Sequence, residues 1–289
     1  MLRALILILL LTFITGCLPE EESNDIVNDQ GNTVSNPTLR LNGLWNGQFD
    51  QAGVLRALIY NGTVFAFGEN AGYYGTADLD ERTATAGILL SASGFTNIDA
   101  AANQFMTGGS SEEYVLSGLL YPTQNTDDTV VGDYQNNTSF GGFAFQNDGT
   151  WNTSARLARL KGKWITPGYE LYLTAVSDEL SFREISLATP ATGCTTRGSV
   201  RLIDEKINLY SIRLVERKNC PGFNVTAASG YTTVDANGEL ELFLKKDDQL
   251  FYARYAPTSG SEKMTDTTDD GMENAAEETT EEETPEVVE

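Results

Sequence analysis

Residues 41–45 read Leu-Asn-Gly-Leu-Trp and residues 160–164 read Leu-Lys-Gly-Lys-Trp, so both follow the pattern Leu-x-Gly-x-Trp. Each stretch opens a series of short runs in which apolar and polar residues alternate. Because successive side chains of a strand point to opposite faces, this alternation predicts strands with one buried face. We expect the tryptophan of each stretch to be a core anchor at the bottom of a barrel; stacking against a ligand is the alternative role.

Turn residues separate these runs at short intervals. Asn61-Gly62 favours a two-residue hairpin, because both positions of that turn need positive φ. Asn147-Asp148-Gly149 and residues 235–238 (Asp-Ala-Asn-Gly) mark further turns. Short strands at intervals of about 8–12 residues are typical of an antiparallel sandwich or barrel. The best helix candidate, Asn97–Phe105, is brief and alanine-rich.

The fold prediction is therefore an all-β antiparallel meander in two tandem barrel- or sandwich-like modules. We place the first module at 41–157 and the second at 158–256. Residues 17–40 and 257–289 have too few apolar groups to offset the entropy of ordering them, so we expect a disordered tether and a disordered acidic tail. Residues 1–16 have the character of an export signal.

The signal is identified by its charge, its apolar run and its end. Arg3 precedes an apolar run over 4–13, which is shorter than the ~20 residues that a membrane-spanning helix needs. The end, Ile14-Thr15-Gly16-Cys17, resembles a bacterial lipobox. This resemblance implies that Cys17 becomes acylated, with palmitate among the chains, and is the first residue of the mature protein. Leu18 in place of Asp implies the outer membrane, at its periplasmic face or the cell surface; the alternative is an ordinary secretory signal with an incidental cysteine.

Histidine is absent from the chain, which excludes Ser-His-Asp and Cys-His sites and imidazole ligands for zinc. We predict no catalytic residue, no metal site and no cofactor. Cys194 and Cys220 form an even pair in an exported protein, which favours a disulfide. Two free buried thiols are the alternative.

Charge is unevenly distributed. The chain has a net charge of −22. Residues 257–289 hold twelve acidic residues against Lys263, whereas residues 157–256 hold twelve acidic and thirteen basic residues. Because acidic flanks repel phosphate, we expect no nucleic-acid partner. The expected partners are the membrane, through the lipid on Cys17, and an envelope or host protein.

The second module carries a further resemblance. Gly193-Cys194-x-x-x-Gly198 is followed by Asn208-x-Tyr210 and then by Cys220. Together with the Leu-x-Gly-x-Trp starts, this is similar to a broad group of largely uncharacterised β-rich lipoproteins of Gram-negative envelopes. The resemblance covers roughly 40–256. It implies barrel-like modules and a disulfide, and it assigns no catalytic residue.

Three functions are compatible with these features. The first, which we favour, is a lipid-anchored envelope protein with a non-enzymatic binding or structural role. The second is binding of a small ligand inside a lipocalin-like barrel, because eight strands can hold one ligand. The third is a carboxylate-based hydrolase of envelope glycans, which needs two carboxyl groups ~5–10 Å apart. Tyr73-Tyr74 and the segment 140–145 are candidates for lining a cleft, although paired aromatic residues usually divide between core and surface.

Overall fold

The structure is a computed structural model that describes residues 25–27, 33–35, 37–49, 53–68, 70–80, 82–99, 104–122, 128–188 and 193–258. The predicted signal, Cys17 and almost all of the predicted acidic tail lie outside the described residues. Within the predicted tether, strands β1 (Asp25–Val27) and β2 (Thr33–Ser35) form an antiparallel pair, which the sequence did not predict. No helix in the described ranges is long and apolar enough to span a membrane.

The first barrel is an eight-stranded antiparallel meander. A 3₁₀ turn at Pro37–Leu41 leads into its strands, which are β3 (Gly43–Phe49), β4 (Gly53–Tyr60), β5 (Thr63–Phe67), β6 (Ala71–Asp80), β7 (Thr85–Asp99), β8 (Gln104–Tyr121), β9 (Thr129–Gln135) and β10 (Phe140–Asn147). Each strand pairs with the next, and β10 pairs with β3 to close the ring.

The second barrel repeats this plan. A 3₁₀ turn at Thr150–Asn152 and a helical turn at Leu157–Leu160 precede its strands, which are β11 (Gly162–Thr166), β12 (Tyr169–Val176), β13 (Glu179–Ser186), β14 (Thr195–Leu202), β15 (Tyr210–Lys218), β16 (Val225–Val234), β17 (Leu240–Lys246) and β18 (Gln249–Pro257). β18 pairs with β11 to close the second ring. The prediction of an all-β antiparallel meander in two tandem barrel-like modules is confirmed.

Both tryptophans of the repeated motif lie at the closing seam of their barrel. Trp45 pairs with Asn147 of the last strand of the first ring, and Trp164 pairs with Pro257 of the last strand of the second. Both side chains are buried. The role of core anchor is therefore the one that the structure supports.

Each indole is also hydrogen-bonded to the helical turn that precedes its strand. Trp45 Nε1 donates a hydrogen bond to the carbonyl oxygen of Leu41 at 2.9 Å, and Trp164 Nε1 donates to that of Leu160 at 2.8 Å. Both leucines are fully buried. The bond satisfies a carbonyl that the end of a helical turn would otherwise leave without a partner inside the barrel.

The glycine of each motif makes this geometry accessible. Gly43 has φ +145° and Gly162 has φ +133°, values that side chains with a Cβ rarely adopt. A Cβ at Gly43 would also lie 2.6 Å from the side-chain nitrogen of Asn147. The chain can therefore pass from helical turn to strand within one residue, with the tryptophan directed back under the turn.

The interior of each barrel is filled by side chains. In the first barrel the inward residues include Trp45, Phe49, Tyr73 and Phe143, which belong to one buried cluster. The cavity within this barrel has a volume of only about 20 Å³. In the second barrel, Trp164, Phe182, Tyr210, Phe223, Phe251 and Tyr255 belong to one buried cluster. Both interiors are packed cores.

The hairpin β7–β8 differs from the sequence prediction. The helix expected at Asn97–Phe105 is wrong, because residues 97–99 continue β7 and Gln104 begins β8. The extension is stabilised by contacts with the second barrel: residues 104–106 pair with residues 251–253 of β18, and Phe105 stacks on Tyr252. These partners are distant in sequence, which is why local alanine content pointed to a helix.

The outer walls of the two barrels pack against each other through a third apolar cluster. It joins β3–β5 of the first barrel to β17 and β18 of the second, and its buried members include Leu44, Leu58, Phe65, Phe67, Trp151, Leu209, Phe243, Leu250 and Tyr252. Phe67 stacks on Tyr252 with ring centroids 4.8 Å apart. This contact makes the chain a double barrel with a continuous core between its halves.

The predicted disulfide is present. Cys194 and Cys220 are bonded, with their Cα atoms 4.4 Å apart. Cys194 precedes β14 and Cys220 follows β15, so the bond joins the start of β14 to the end of its partner strand β15. It packs against Tyr169 at that end of the barrel.

We predict that Trp45→Phe and Trp164→Phe each lower the free energy of unfolding by about 1–3 kcal/mol, because each leaves a buried carbonyl without its donor. Urea unfolding followed by circular dichroism measures the change. Trp151→Phe is the matched control, since its indole nitrogen makes no hydrogen bond within the described chain and only ring area is lost. Equal losses in all three variants would contradict the role given to the indole bonds.

Candidate functional site

A buried ion pair fixes the relative position of the two barrels. Arg56 of β4 donates to both carboxylate oxygens of Glu241 of β17, with Nη2 2.7 Å from Oε2 and Nε 3.2 Å from Oε1. Arg56 Nη1 donates to Asp148 at 2.7 Å. Burial lowers the pKa of Arg56, but the carboxylates of Glu241 and Asp148 outweigh it, so the pKa is raised and the guanidinium stays charged.

The second barrel completes the surroundings of Glu241. The hydroxyl of Tyr252 donates to Glu241 Oε1 at 2.6 Å, and Arg254 Nε lies 3.4 Å from the same oxygen. Arg254 also pairs with Asp235 at 2.9 Å. Because Glu241 is fully buried, these donors are what make its charge tolerable in the interface.

A second polar cluster lies inside the second barrel. Glu184 accepts four hydrogen bonds, from Arg217 (2.7 Å), Thr196 (2.6 Å), Tyr255 (2.6 Å) and Gln104 (2.7 Å). All five side chains are buried. Gln104 belongs to β8, so the first barrel supplies part of the interior of the second.

These two clusters contain the buried carboxylates that would be considered for a carboxylate-based hydrolase. The carboxylates of Glu184 and Glu241 are shielded from solvent and engaged by arginine and tyrosine. A glycosidase needs two carboxyl groups that face a substrate. In the part of the chain that the structure describes, no three or more His, Cys, Asp or Glu side chains are grouped so that they could hold a metal ion.

An open cleft of about 1180 Å³ lies on the outer wall of the second barrel, and the first barrel forms one rim of it. The floor is the outward face of β13–β17, and the rim comes from Thr63, Phe65 and Tyr74. One row of paired residues crosses the floor, one residue per strand: Ser181, Ser199, Arg213, Ser229 and Lys245. At about 4.8 Å per strand the row is about 19 Å long.

Positive charge dominates this cleft. Its basic side chains are Arg201, Arg213, Lys245 and Lys246, and its acidic ones are Glu179 and Asp247. Arg201 is paired with Glu179 at 2.7 Å and Lys246 with Asp247 at 3.4 Å. Arg213 and Lys245 have no ion-pair partner among the described residues. The cleft thus carries two uncompensated positive charges on a protein that is strongly negative.

Aromatic side chains form one wall of the cleft. The Nζ of Lys245 lies 4.5 Å from the ring centroid of Tyr74, a cation–π contact that positions the ammonium. Burial raises the pKa of Tyr231, with Tyr60 and Tyr74 adding to the effect. The hydroxyl of Tyr231 therefore remains protonated and can donate a hydrogen bond to a ligand.

Sequence reasoning identified little of this site. Of the aromatic candidates, Tyr74 lines the cleft, whereas Tyr73 is buried in the first barrel. Phe140 is exposed, and Phe143 points into the core. The signal that was missed is the repeated Ser-x-Arg-Leu at 199–202 and 211–214, which places Ser and Arg together on the outer face of adjacent strands.

Comparisons with protein-family models, with curated proteins and with solved structures each gave no match.

We predict that stability falls as the pH rises above 10. Burial, with the neighbouring carboxylates of Glu241 and Glu184, raises the pKa values of Tyr252 and Tyr255 well above their ordinary value of 10.0. Above pH 10 the unfolded chain releases protons that the folded chain retains, so the free energy of unfolding drops by about 1.4 kcal/mol per pH unit for each such tyrosine.

Urea unfolding from about pH 8 to pH 11 measures this slope. Tyr252→Phe removes one of the groups that retain a proton in the fold, so its curve should be flatter than that of the wild type above pH 10, whatever stability it loses at pH 8. Parallel curves for the two proteins would show that Tyr252 does not retain its proton in the fold.

Proposed function

We propose that this chain is a lipid-anchored envelope protein with a non-enzymatic binding role, and that its ligand occupies the cleft between the barrels. The observation that carries the proposal is the combination of packed barrel interiors with an open cleft that holds two unpaired cations. The anchor is the acylated Cys17, and the compartment is the outer membrane. A partner among envelope or host components follows from that location.

The packed interiors weigh against a ligand inside a barrel. Pockets for small ligands are about 300–1,000 Å³, whereas the cavity in the first barrel is about 20 Å³. Leu41 and Trp45 close one part of this cavity, and both are buried and fixed by their mutual hydrogen bond. A ligand would have to displace core side chains, at a cost of several kcal/mol.

The cleft supports binding because it presents groups that the contacts of the fold do not use. Arg213 is exposed at the centre of the floor and adds nothing to the ion pairs of the fold. Neighbouring serines keep the floor open, since small side chains leave the space that a ligand would fill. The fold does not need this arrangement of an unpaired arginine and small serines, whereas an anionic or polar ligand needs both the charge and the space.

Ser229→Trp tests the proposal by filling the cleft, because Ser229 is exposed midway between Arg213 and Lys245. We expect the immobilised wild type to retain components of a bacterial envelope extract that the variant does not. Protein and sugar analysis of the eluates measures the difference.

Ser117→Trp is the matched control, since Ser117 is exposed on β8 and does not line the cleft. It should retain the same components as the wild type. Identical eluates from all three proteins would contradict a ligand site in the cleft.

The anchor gives a second prediction. Cys17→Ser removes the acceptor of the lipid, so the chain should be unprocessed or soluble, because stable anchoring needs two or more acyl chains. Sedimentation of membranes after a carbonate wash measures this. If the variant still sediments with the outer membrane, lipidation at Cys17 does not anchor the protein.

A further inference from the structure

We propose that the cleft binds an extended oligosaccharide that carries carboxylates. This inference rests on the proposed ligand site in the cleft and adds the chemical class of the ligand. It is carried by the row Ser199–Arg213–Ser229–Lys245, in which hydroxyls and unpaired cations alternate from strand to strand.

The spacing of the charges indicates a sparsely charged ligand. Arg213 and Lys245 lie on β15 and β17, two strand intervals or about 10 Å apart. Duplex DNA carries one charge per ~1.7 Å, so it would bring many more anions to the surface than the cleft can neutralise. A sugar chain carries at most one carboxylate per ring, with neutral rings or hydroxyls between.

The groups between the cations fit sugar hydroxyls. Ser199 and Ser229 each present a hydroxyl that both donates and accepts hydrogen bonds. Tyr231 of β16 adds a hydroxyl to the lining of the cleft. Because a sugar ring is covered with hydroxyls of the same dual character, this surface can satisfy it without a pre-formed apolar pocket.

The topology disfavours an acidic peptide as the ligand. Extended peptides commonly bind by adding a strand to a free sheet edge, with main-chain hydrogen bonds supplying the affinity. Strands β11–β18 form a closed ring, so the floor of the cleft lies on strands that are paired on both sides. A peptide would have only side-chain contacts there.

The surface also continues beyond the cleft, as a chain-like ligand requires. Ser181 borders both the cleft and an adjoining hollow of about 450 Å³ on β12 and β13. Arg183 lines this hollow and has no ion-pair partner within the described ranges. Arg183 lies two residues along β13 from Ser181, so a third cation stands beside the end of the row.

The overall negative charge does not oppose this binding at physiological salt. At 0.15 M ionic strength the Debye length is about 8 Å, so charges farther away are largely screened. The acidic groups nearest the row, Glu179 and Asp247, are already paired with Arg201 and Lys246. An approaching carboxylate thus meets the unpaired Arg213 and Lys245.

Titration calorimetry with an oligogalacturonate of about eight residues tests the proposal, using the chain from residue 17 with Cys17→Ser. The fully methyl-esterified form of the same oligosaccharide is the neutral probe, and an oligoglutamate of equal charge is the peptide probe. We expect binding of the oligogalacturonate alone, weakening as salt is added.

The variant Arg213→Gln/Lys245→Gln should weaken this binding at least tenfold. Arg82→Gln/Lys161→Gln is the matched control: it removes the same charge from exposed residues that line neither the cleft nor the adjoining hollow, and it should change the affinity less than twofold. Circular dichroism checks that both variants are folded.

Three results would overturn the proposal: no binding of the oligogalacturonate, equal weakening by both double variants, or equal binding of the ester or of oligoglutamate. If one of these occurs while Ser229→Trp still abolishes retention of envelope components, the ligand class is wrong and the cleft remains the site. If Ser229→Trp changes nothing, the proposed function itself fails.

Discussion

The buried contact between Arg56 and Glu241 is the interaction on which the double barrel depends. It joins a strand of the first barrel to a strand of the second, and Glu241 is fully buried. Removing one partner while the barrels stay together would leave the other charge buried and uncompensated, which typically costs about 3–5 kcal/mol. Tyr252 and Arg254 approach this carboxylate from the second barrel, and Arg56 is the donor from the first, so its contact sets where β4 lies against β17.

That fixed position creates the cleft. Phe65 and Tyr74 of the first barrel can wall the outer face of β13–β17 only because the barrels are held side by side. The hairpin β7–β8 reinforces the arrangement, since Gln104 enters the polar cluster around Glu184 inside the second barrel. The two halves thus share both a wall and part of an interior.

Local sequence pattern predicted the fold class, the turns and the disulfide, because each depends on neighbouring residues or on a pair of cysteines. The Leu-x-Gly-x-Trp repeat predicted two similar modules, and the structure explains it through a glycine at positive φ and an indole bonded to the residue four positions earlier. Local pattern failed at Asn97–Phe105, where pairing with β18 overrides alanine content.

The candidate site was harder to predict because its lining comes from eight strands. Arg213, Ser229 and Lys245 become neighbours only through strand register, which alternation alone does not specify across a ring. The sequence offered one hint, the near-neutral balance of 157–256 within an acidic chain. The basic residues of that segment include those of the cleft, but which of them lie together could be read only from the folded structure.

Native-state amide exchange in increasing urea tests most directly whether the double barrel is one cooperative body. The account predicts that the slowest amides of β3–β10 and of β11–β18 exchange with the same opening free energy and the same urea dependence, because the shared core and the Arg56–Glu241 contact couple them. A lower opening free energy for one barrel while the other stays protected would contradict it, and the cleft would then have no fixed wall.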